Sequence, residues 1–423
     1  MGEETPRPIA AANPWLAPDA LRRLAISLIR AEQEDLVAKG RLPRGALSAL
    51  QDPSLSTDAQ DALRIDEDGL GFDSLSRLSL ILRINRFFHL ADTGIEDYLL
   101  MQRRLGDWVA LLDQHLRLMG EGARFTFATS GSAGTVKQVC HTAAALLTEV
   151  QAHRLGPLAK MPLGARILSL VPPHHIYGFL FTCVLPQAIG AHVVDLHRAG
   201  PFAAIRHARA GDLVIGTPLN WRLLHDSGLS FAPGVQGITS AGPACPRTWA
   251  VQKVNGLAHL TEVYGATETG GIGTRCAVDA PFDLLDHLVR EPGSDTVSTR
   301  RLAPLPLQDD LDWVATRQFR IQGRRDDVVK VGGINVSPAH VKAVLCACEG
   351  VADVAVRLGD ERMKAFVVPA PGVTPTALEP VLRAHILRAL PAPARPAPVT
   401  FGPALPVNAM GKSCDWDPLP SDE

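Results

Sequence analysis

The chain has 423 residues, 46% of them hydrophobic, and a formal net charge of −2 at neutral pH. That length suffices for two or three domains with a sizeable core, and the balanced charge gives no reason to expect a nucleic-acid partner. No apolar run reaches the ~18–20 residues that cross a bilayer, and "MGEETPRPIAAANPW" lacks a basic region ahead of an apolar stretch, so neither membrane insertion nor a signal peptide is expected. The acidic pair behind Gly2 also argues against lipidation. The seven cysteines (Cys140, Cys183, Cys245, Cys276, Cys346, Cys348 and Cys414) are scattered, odd in number and form no CxxC pair. This disfavours a disulfide framework or a zinc site and suits a reducing cytoplasm.

In chain order, residues 1–123 read as mainly helical. "PDALRRLAISLIRAEQEDLVAKG" has apolar residues at helical spacing and stops at a glycine. "DSLSRLSLILRINRFFHL" follows with Asp73 or Ser74 as N-cap, and "IEDYLLMQRRLGDWVALLDQHL" continues the pattern. From residue 124 short apolar strands alternate with helices: "RILSLVPP", then the helix "YGFLFTCVLPQAI", then "GAHVVDL", "GDLVIGTP" and "VQGITSAG". That alternation predicts an α/β fold with a helix-covered, largely parallel sheet, in which ligands gather at the carboxyl ends of the strands. A small α+β unit closes the chain. Ser337 and Pro338 start a helix, "VADVAVRL" and "MKAFVVPA" are strands, a helix runs from about residue 376 to 390, and Pro391 to Pro398 reads as a stiff connector. The expected domains are 1–322 and 323–423.

One loop stands out for its chemistry. "FTFATSGSAGTVKQ" offers the hydroxyls of Thr129, Ser130, Ser132 and Thr135, close backbone approach at Gly131 and Gly134, and one mobile charge at Lys137. Its spacing is not that of a P-loop, yet such a loop can close around an anion, or be an ordinary polar turn. Three further stretches narrow the reading: "VYGATETGG" with Tyr264, Gly265, Thr267 and Glu268, "GRRDDVVKVGG", and "LPVNAMGKS" with Lys412.

Together, in this order and at this spacing, the four segments resemble the motifs TSG[ST]TGxPK, YGxTE, GRxDDxIKxxG and LPxTxxGK of the adenylate-forming superfamily. That superfamily comprises acyl- and aryl-CoA synthetases, luciferases and peptide-synthetase adenylation domains. The resemblance covers residues 124–415. It implies a large AMP-binding domain with a small mobile C-terminal one, and ATP and Mg²⁺ as reactants. A carboxylic acid, with an aryl acid favoured, is activated as its adenylate. The acyl group then passes to the thiol of CoA or of the phosphopantetheine of an acyl carrier protein. The resemblance assigns Thr129, Ser130, Gly131, Ser132, Gly134 and Lys137 to the β- and γ-phosphates. Gly242, Pro243 and Ala244 of "TSAGPA" would contact the purine, Tyr264 would stack on it from the turn that includes Gly265, Thr267 would hold the α-phosphate and Glu268 the Mg²⁺. Arg324 would contact the nucleotide, Asp326 would sit at the hinge, and Lys412 would bridge carboxylate and α-phosphate. "VPPHHIYGF" resembles a PxxHxxG segment, which makes His175 the residue shielding the acyl pocket, against the plainer reading of a packed strand-end histidine.

The departures are specific. Ala133 and Val136 replace the usual Thr and Pro, and the ribose-binding aspartate has no clean match; Asp310 is the closest candidate, with Asp309 and Asp312 as rivals. "LGFDSLSRLSL" also resembles the GxDSL site of acyl carrier proteins, so Ser74 is either a carrier-type serine or part of a helix start. Transfer to an amine or hydroxyl, or a non-catalytic adenylate sensor, are the alternative functions.

Overall fold

The computed structural model describes residues 15–42, 50, 55–130, 136–159, 161–241, 246–291, 296–299, 302–307, 309–324, 329–331, 334–359, 362–407 and 414–416. Contacts divide the chain into two compact units, Met1–Leu288 and Val289–Glu423.

The first unit begins with helices α1 (Pro18–Ala38), α2 (Thr57–Asp61), α3 (Ser74–Phe88), α4 (Tyr98–Met101) and α5 (Leu105–Met119). Helix α1 starts with proline in its first turn and buries Leu21, Leu24, Ala25, Leu28 and Ile29, the i, i+3, i+4, i+7, i+8 stripe of an amphipathic helix. The N-cap of α3 is Asp73, whose carboxylate accepts the Ser76 N–H at 2.7 Å. Ser74 is therefore the first helical residue, and it is exposed.

A two-stranded antiparallel ribbon follows, β1 (Arg124–Ser130) and β2 (Val136–Thr142), with Thr129 opposite Lys137. After it come α6 (Ala143–Leu155), β3 (Arg166–Ser169), α7 (Ile176–Phe179), α8 (Leu185–Ile189), β4 (His192–Asp195), α9 (Pro201–His207), β5 (Leu213–Gly216), α10 (Pro218–Ser227), β6 (Gln236–Ser240), α11 (Pro246–Val254), β7 (His259–Ala266), β8 (Gly270–Arg275) and β9 (Phe282–Leu284). Between α7 and α8 a π-helical segment, Leu180–Val184, joins them into one continuous helix.

The strands of this unit lie in the order β9–β8–β7–β6–β5–β3–β4. Strands β3 to β7 are mutually parallel, and β8 and β9 add antiparallel. This is the expected α/β fold. Successive strand residues face opposite sides, so Ile167, Ile215 and Ile238 join a core shared with α1, α3, α5 and α6, whereas Leu168, Val214 and Leu260 join a second core with α9, α10 and α11. The first core is continuous from Trp15 through the N-terminal helices to Phe125, Phe127 and Phe179. The described residues between 15 and 123 are thus built into the sheet's own hydrophobic layer.

The boundary between units falls within β10 (Leu288–Arg290), which lies beside β11 (Thr296–Thr299) and β12 (Leu302–Pro306). Hairpins β13 (Asp309–Ala315)/β14 (Gln318–Arg324) and β15 (Val329–Val331)/β16 (Ile334–Val336) follow. The chain ends in α12 (Pro338–Cys346), β17 (Val351–Leu358), β18 (Met363–Pro369), α13 (Pro375–Ala389) and β19 (Val399–Phe401). Ser337 caps α12 as expected, accepting the His340 N–H at 3.2 Å. Val341, Leu345, Val354, Val367, Leu378 and Leu382 form the core.

The stretch from Pro391 to Pro398 connects α13 to β19: Ala392–Ala394 form a 3₁₀ turn, and at its end Ala397 N–H donates to Met363 O at 2.7 Å and Ala365 N–H to Pro398 O at 3.0 Å, opening the β19 ladder on β18. A chain segment with backbone partners on a strand edge completes that edge's hydrogen bonding.

Candidate active site

Because β3 to β7 run parallel, the loops after all five emerge at one edge of the sheet, where open α/β sheets bind ligands. The chain passes from β3 outward to β4 and then crosses back to β5 on the other side of β3. The crevice of such a sheet opens at this reversal, between the loops after β3 and β5. The loop after β3 is "VPPHHIYGF". Tyr177 spans the reversal, its hydroxyl donating to Gly216 O at the end of β5 at 2.9 Å.

His175 stands in this loop as the residue preceding α7, and its ring lies 4.4 Å from that of His174. His174 Nδ1 is 2.6 Å from Ser27 Oγ of α1. Burial, then the positive charges of His175, Arg83 and His197, hold the His174 pKa well below the ordinary imidazole value, so its neutral form prevails at neutral pH. The loop turns tightly at Gly178, where a β-carbon would come 2.1 Å from Pro172 O. Thr182 O, in the π segment, accepts the Arg23 guanidinium of α1 at 2.9 Å. π segments release backbone groups from the helical ladder and recur at functional sites.

The second cluster lies at the end of β7. Tyr264 is 5% exposed, with its ring 5.7 Å from that of Phe282. Phe282 in turn carries the Arg275 guanidinium at 4.5 Å, and Arg275 pairs with Glu262 at 2.5 Å. Gly265 sits where a β-carbon would meet Gly270 O at 2.2 Å. Thr267 and Glu268 occupy the turn before β8. Lys137, on the ribbon strand that leaves the hydroxyl-rich loop, places Nζ 3.5 Å from Glu268 Oε1. Two motifs separated by 131 positions therefore meet through opposite charges. The contact is solvent-exposed and contributes little to stability.

A lone carboxylate suits a Mg²⁺ held mainly by phosphate oxygens, since that ion keeps waters and takes one or two carboxylates. Among the described residues no group of three His, Cys, Asp or Glu side chains forms a protein-only metal cage.

Other expected site residues are placed as follows. Thr129 and Ser130 end β1, directly before the loop. Gly131, Ser132, Gly134, Gly242, Pro243, Ala244, Asp326 and Lys412 lie outside the described residues. In the second unit Asp310 is exposed on β13, paired in register with Gly323, and Arg324 ends β14 opposite Asp309. Around Lys412 the flanks are described: Cys414 N–H donates to Pro406 O at 2.8 Å, and the buried Lys364 Nζ binds Trp416 O at 2.8 Å and Asp415 at 2.7 Å. Sequence reading missed Tyr177, Ser27, His141 and Glu149, each of which touches one of these loops from afar. The only local signal was the paired glycine in "TETGG".

Residues 123–295 match the model of the AMP-binding enzymes, and residues 340–412 match that of the AMP-binding enzyme C-terminal domain. The chain is 44% identical over 409 residues to a 4-coumarate–CoA ligase of Cereibacter sphaeroides, covering 97% of this chain and 99% of that one. It is 45% identical over 401 residues to a 4-coumarate–CoA ligase of Rhodobacter capsulatus, covering 94% and 100%. The ATP-bound crystal structure of MatB from Rhodopseudomonas palustris shares the fold with a TM-score of 0.57, at 17% identity over 92% of this chain and 91% of that one. No described helix is long and apolar enough to cross a membrane. The chain belongs to the AMP-binding, adenylate-forming enzymes, and it is an ATP-dependent ligase that activates a carboxylic acid and passes the acyl group to a thiol.

Proposed function

We propose that the acid is 4-coumarate or a close hydroxycinnamate, that CoA is the acceptor, and that the enzyme works in the cytoplasm. The carrying observation is the reach of the similarity. The two 4-coumarate–CoA ligases match over 94–97% of this chain, which includes the N-terminal helices that the AMP-binding model, starting at residue 123, leaves unmatched. Those helices supply Ser27 to the loop of His174 and His175 and Arg23 to the π segment behind it, the end of the sheet where the acid would enter.

In the reaction, a carboxylate oxygen attacks the α-phosphorus of ATP. The bond to the β-phosphate breaks and pyrophosphate leaves. The CoA thiolate then attacks the acyl carbon, and AMP departs. The residues at the nucleotide end suit the first step. Thr129, Ser130, Gly131, Ser132, Gly134 and Lys137 surround the β- and γ-phosphates, Thr267 meets the α-phosphate, Tyr264 and Gly265 border the adenine with Gly242, Pro243 and Ala244, and Glu268 holds Mg²⁺. The bound ion supplies charge neutralisation at the phosphates. Lys412 neutralises charge growing on the attacked phosphate, a term that is large where water is excluded. Asp310 binds the ribose hydroxyls, Arg324 contacts the nucleotide from the small domain, and Asp326 is the pivot between 1–322 and 323–423. His175 screens the acyl carbon from water.

The test is acid-dependent ATP–pyrophosphate exchange and thioester formation with 4-coumarate, hydroxybenzoate and hexanoate in parallel. A kcat/KM at least about tenfold higher for 4-coumarate, equivalent to ~1.4 kcal/mol, is expected. Preference for either competitor would overturn the substrate assignment. Acylation of a carrier protein in place of CoA would overturn the acceptor.

A further inference from the structure

The turn carrying Thr267 and Glu268 is three residues long, between Ala266 and Gly270. Its own bonds are modest: Thr269 N–H to Ala266 O and Ala266 N–H to Thr269 Oγ1, both 3.3 Å. Two stronger ties reach it from outside, and both come from the segment that leaves the hydroxyl-rich loop. His141 Nε2 lies 2.6 Å from Thr267 O. A carbonyl only accepts, so the imidazole donates. Eight residues on, Glu149 Oε1 accepts the Gly271 N–H at 2.8 Å.

Glu149 is 5% exposed and its neighbour His153 is 1% exposed. Burying a carboxylate this deeply is unfavourable unless it is held by donors, and plain sheet packing would be served by an apolar side chain. The backbone is shaped to receive it. Gly270 has φ +69°, and a β-carbon there would meet Glu149 Oε2 at 2.3 Å; at Gly271 it would meet Oε1 at 2.5 Å. His153 stands 3.6 Å from Glu149 Oε1 and packs its ring 4.9 Å from Phe181. Residues 137–153 therefore grip the hairpin at three successive points: a side-chain carboxylate (Lys137 to Glu268), a carbonyl (His141 to Thr267) and an amide (Glu149 to Gly271).

We infer that His141 and Glu149 are positioning residues for adenylation, fixing the height and rotation of the Thr267–Glu268 turn relative to the phosphate loop that precedes Lys137. This rests on the reading that Thr267 and Glu268 meet the nucleotide. A misplacement of about 1 Å at such a turn lowers turnover on the order of 100-fold, because a Mg²⁺-binding carboxylate and a phosphate-binding hydroxyl are aimed by the same three residues.

The experiment compares His141→Phe, Glu149→Ala and the conservative Glu149→Gln, whose amide oxygen still accepts from Gly271. Two readouts are taken: ATP–pyrophosphate exchange as a function of ATP, acid and Mg²⁺, and amide hydrogen exchange across residues 264–271. His141→Phe and Glu149→Ala should lower kcat for exchange by roughly 10- to 100-fold. They should raise the half-saturating Mg²⁺ concentration, leave KM for the acid unchanged and speed amide exchange at the turn. Glu149→Gln should restore most of each effect. Unchanged amide exchange in both disruptive variants overturns the proposal, as does a parental Mg²⁺ dependence in His141→Phe. Faster amide exchange at the turn with kcat, KM and Mg²⁺ dependence all parental would leave the ties intact and sink the assignment of Thr267 and Glu268 to the nucleotide.

Discussion

Two loops at the same edge of the sheet are held in different ways. The Tyr264–Gly271 hairpin is gripped by Lys137, His141 and Glu149, all within residues that match the AMP-binding model. The Pro172–Gly178 loop is held by α1, where Ser27 Oγ meets His174 Nδ1, and by the Tyr177 hydroxyl to Gly216 O, and the π segment behind it by Arg23 to Thr182 O; Ser27 and Arg23 precede the matched region. The hairpin, the proposed nucleotide end, is thus held by residues inside the AMP-binding match, and the histidine loop, the proposed acid end, in part by residues ahead of it. Phosphate chemistry is the same for every acid, so its scaffold can be shared.

The comparison can be broken or sharpened by substitution. Lys412→Ala should reduce acid-dependent pyrophosphate exchange by about 10²–10³-fold, ~2.7–4 kcal/mol, for every acid alike; unchanged exchange would remove this lysine from the first step. Gly178→Ala, at the acid end, should destabilise the protein by about 1–3 kcal/mol, because the added methyl would press on Pro172 O. It should raise KM for the acid while KM for ATP stays put. Equal changes in both constants would mean that the two ends are not separately supported.

Acidification should act through the N-terminal helices. The pKa values of His89, His115 and His174 are all depressed, each by burial first. A depressed imidazole binds its proton more weakly folded than unfolded. Stability is therefore full above the unfolded value of about 6.5 and declines as pH falls below it, by at most ~1.4 kcal/mol per pH unit for each such group. His115, fully buried between Thr93 Oγ1 at 2.8 Å and Phe88 O at 2.9 Å, must donate at Nε2 because a carbonyl only accepts, which leaves Nδ1 as the acceptor of the neutral ring; a second proton removes that acceptor. Denaturation midpoints measured from pH 7.5 to 5.5 should show the decline, with a shallower slope in His115→Gln. The smallest effect is at the start of α3. Asp73→Ala should lose about 1 kcal/mol of stability as a lost cap with exchange kinetics unchanged, and Ser74→Ala should alter neither.

The chemistry-bearing loops were legible because each needs several special residues in a row. Hydroxyls and glycines around phosphates, a tyrosine, threonine and glutamate on one turn, and a lysine behind a glycine are local patterns that survive without knowledge of contacts. The alternating strands and helices from residue 124 were legible for the same reason, since periodicity is a property of neighbours in the chain. That Ala397 and Pro398 begin the β19 ladder on β18 was not legible, because a proline run bears no mark of the strand it meets.

By itself, then, the sequence determined that this is an α/β adenylating ligase and singled out the segments expected to carry its reactive groups. Only the tertiary structure decided that Lys137 meets Glu268, that His141 and Glu149 hold the turn between them, and that α1 buttresses the histidine loop. Those facts are distances between residues up to 147 positions apart. They depend on strand order and on which face of a helix meets the sheet, and both are set by how two hydrophobic layers close on the same strands.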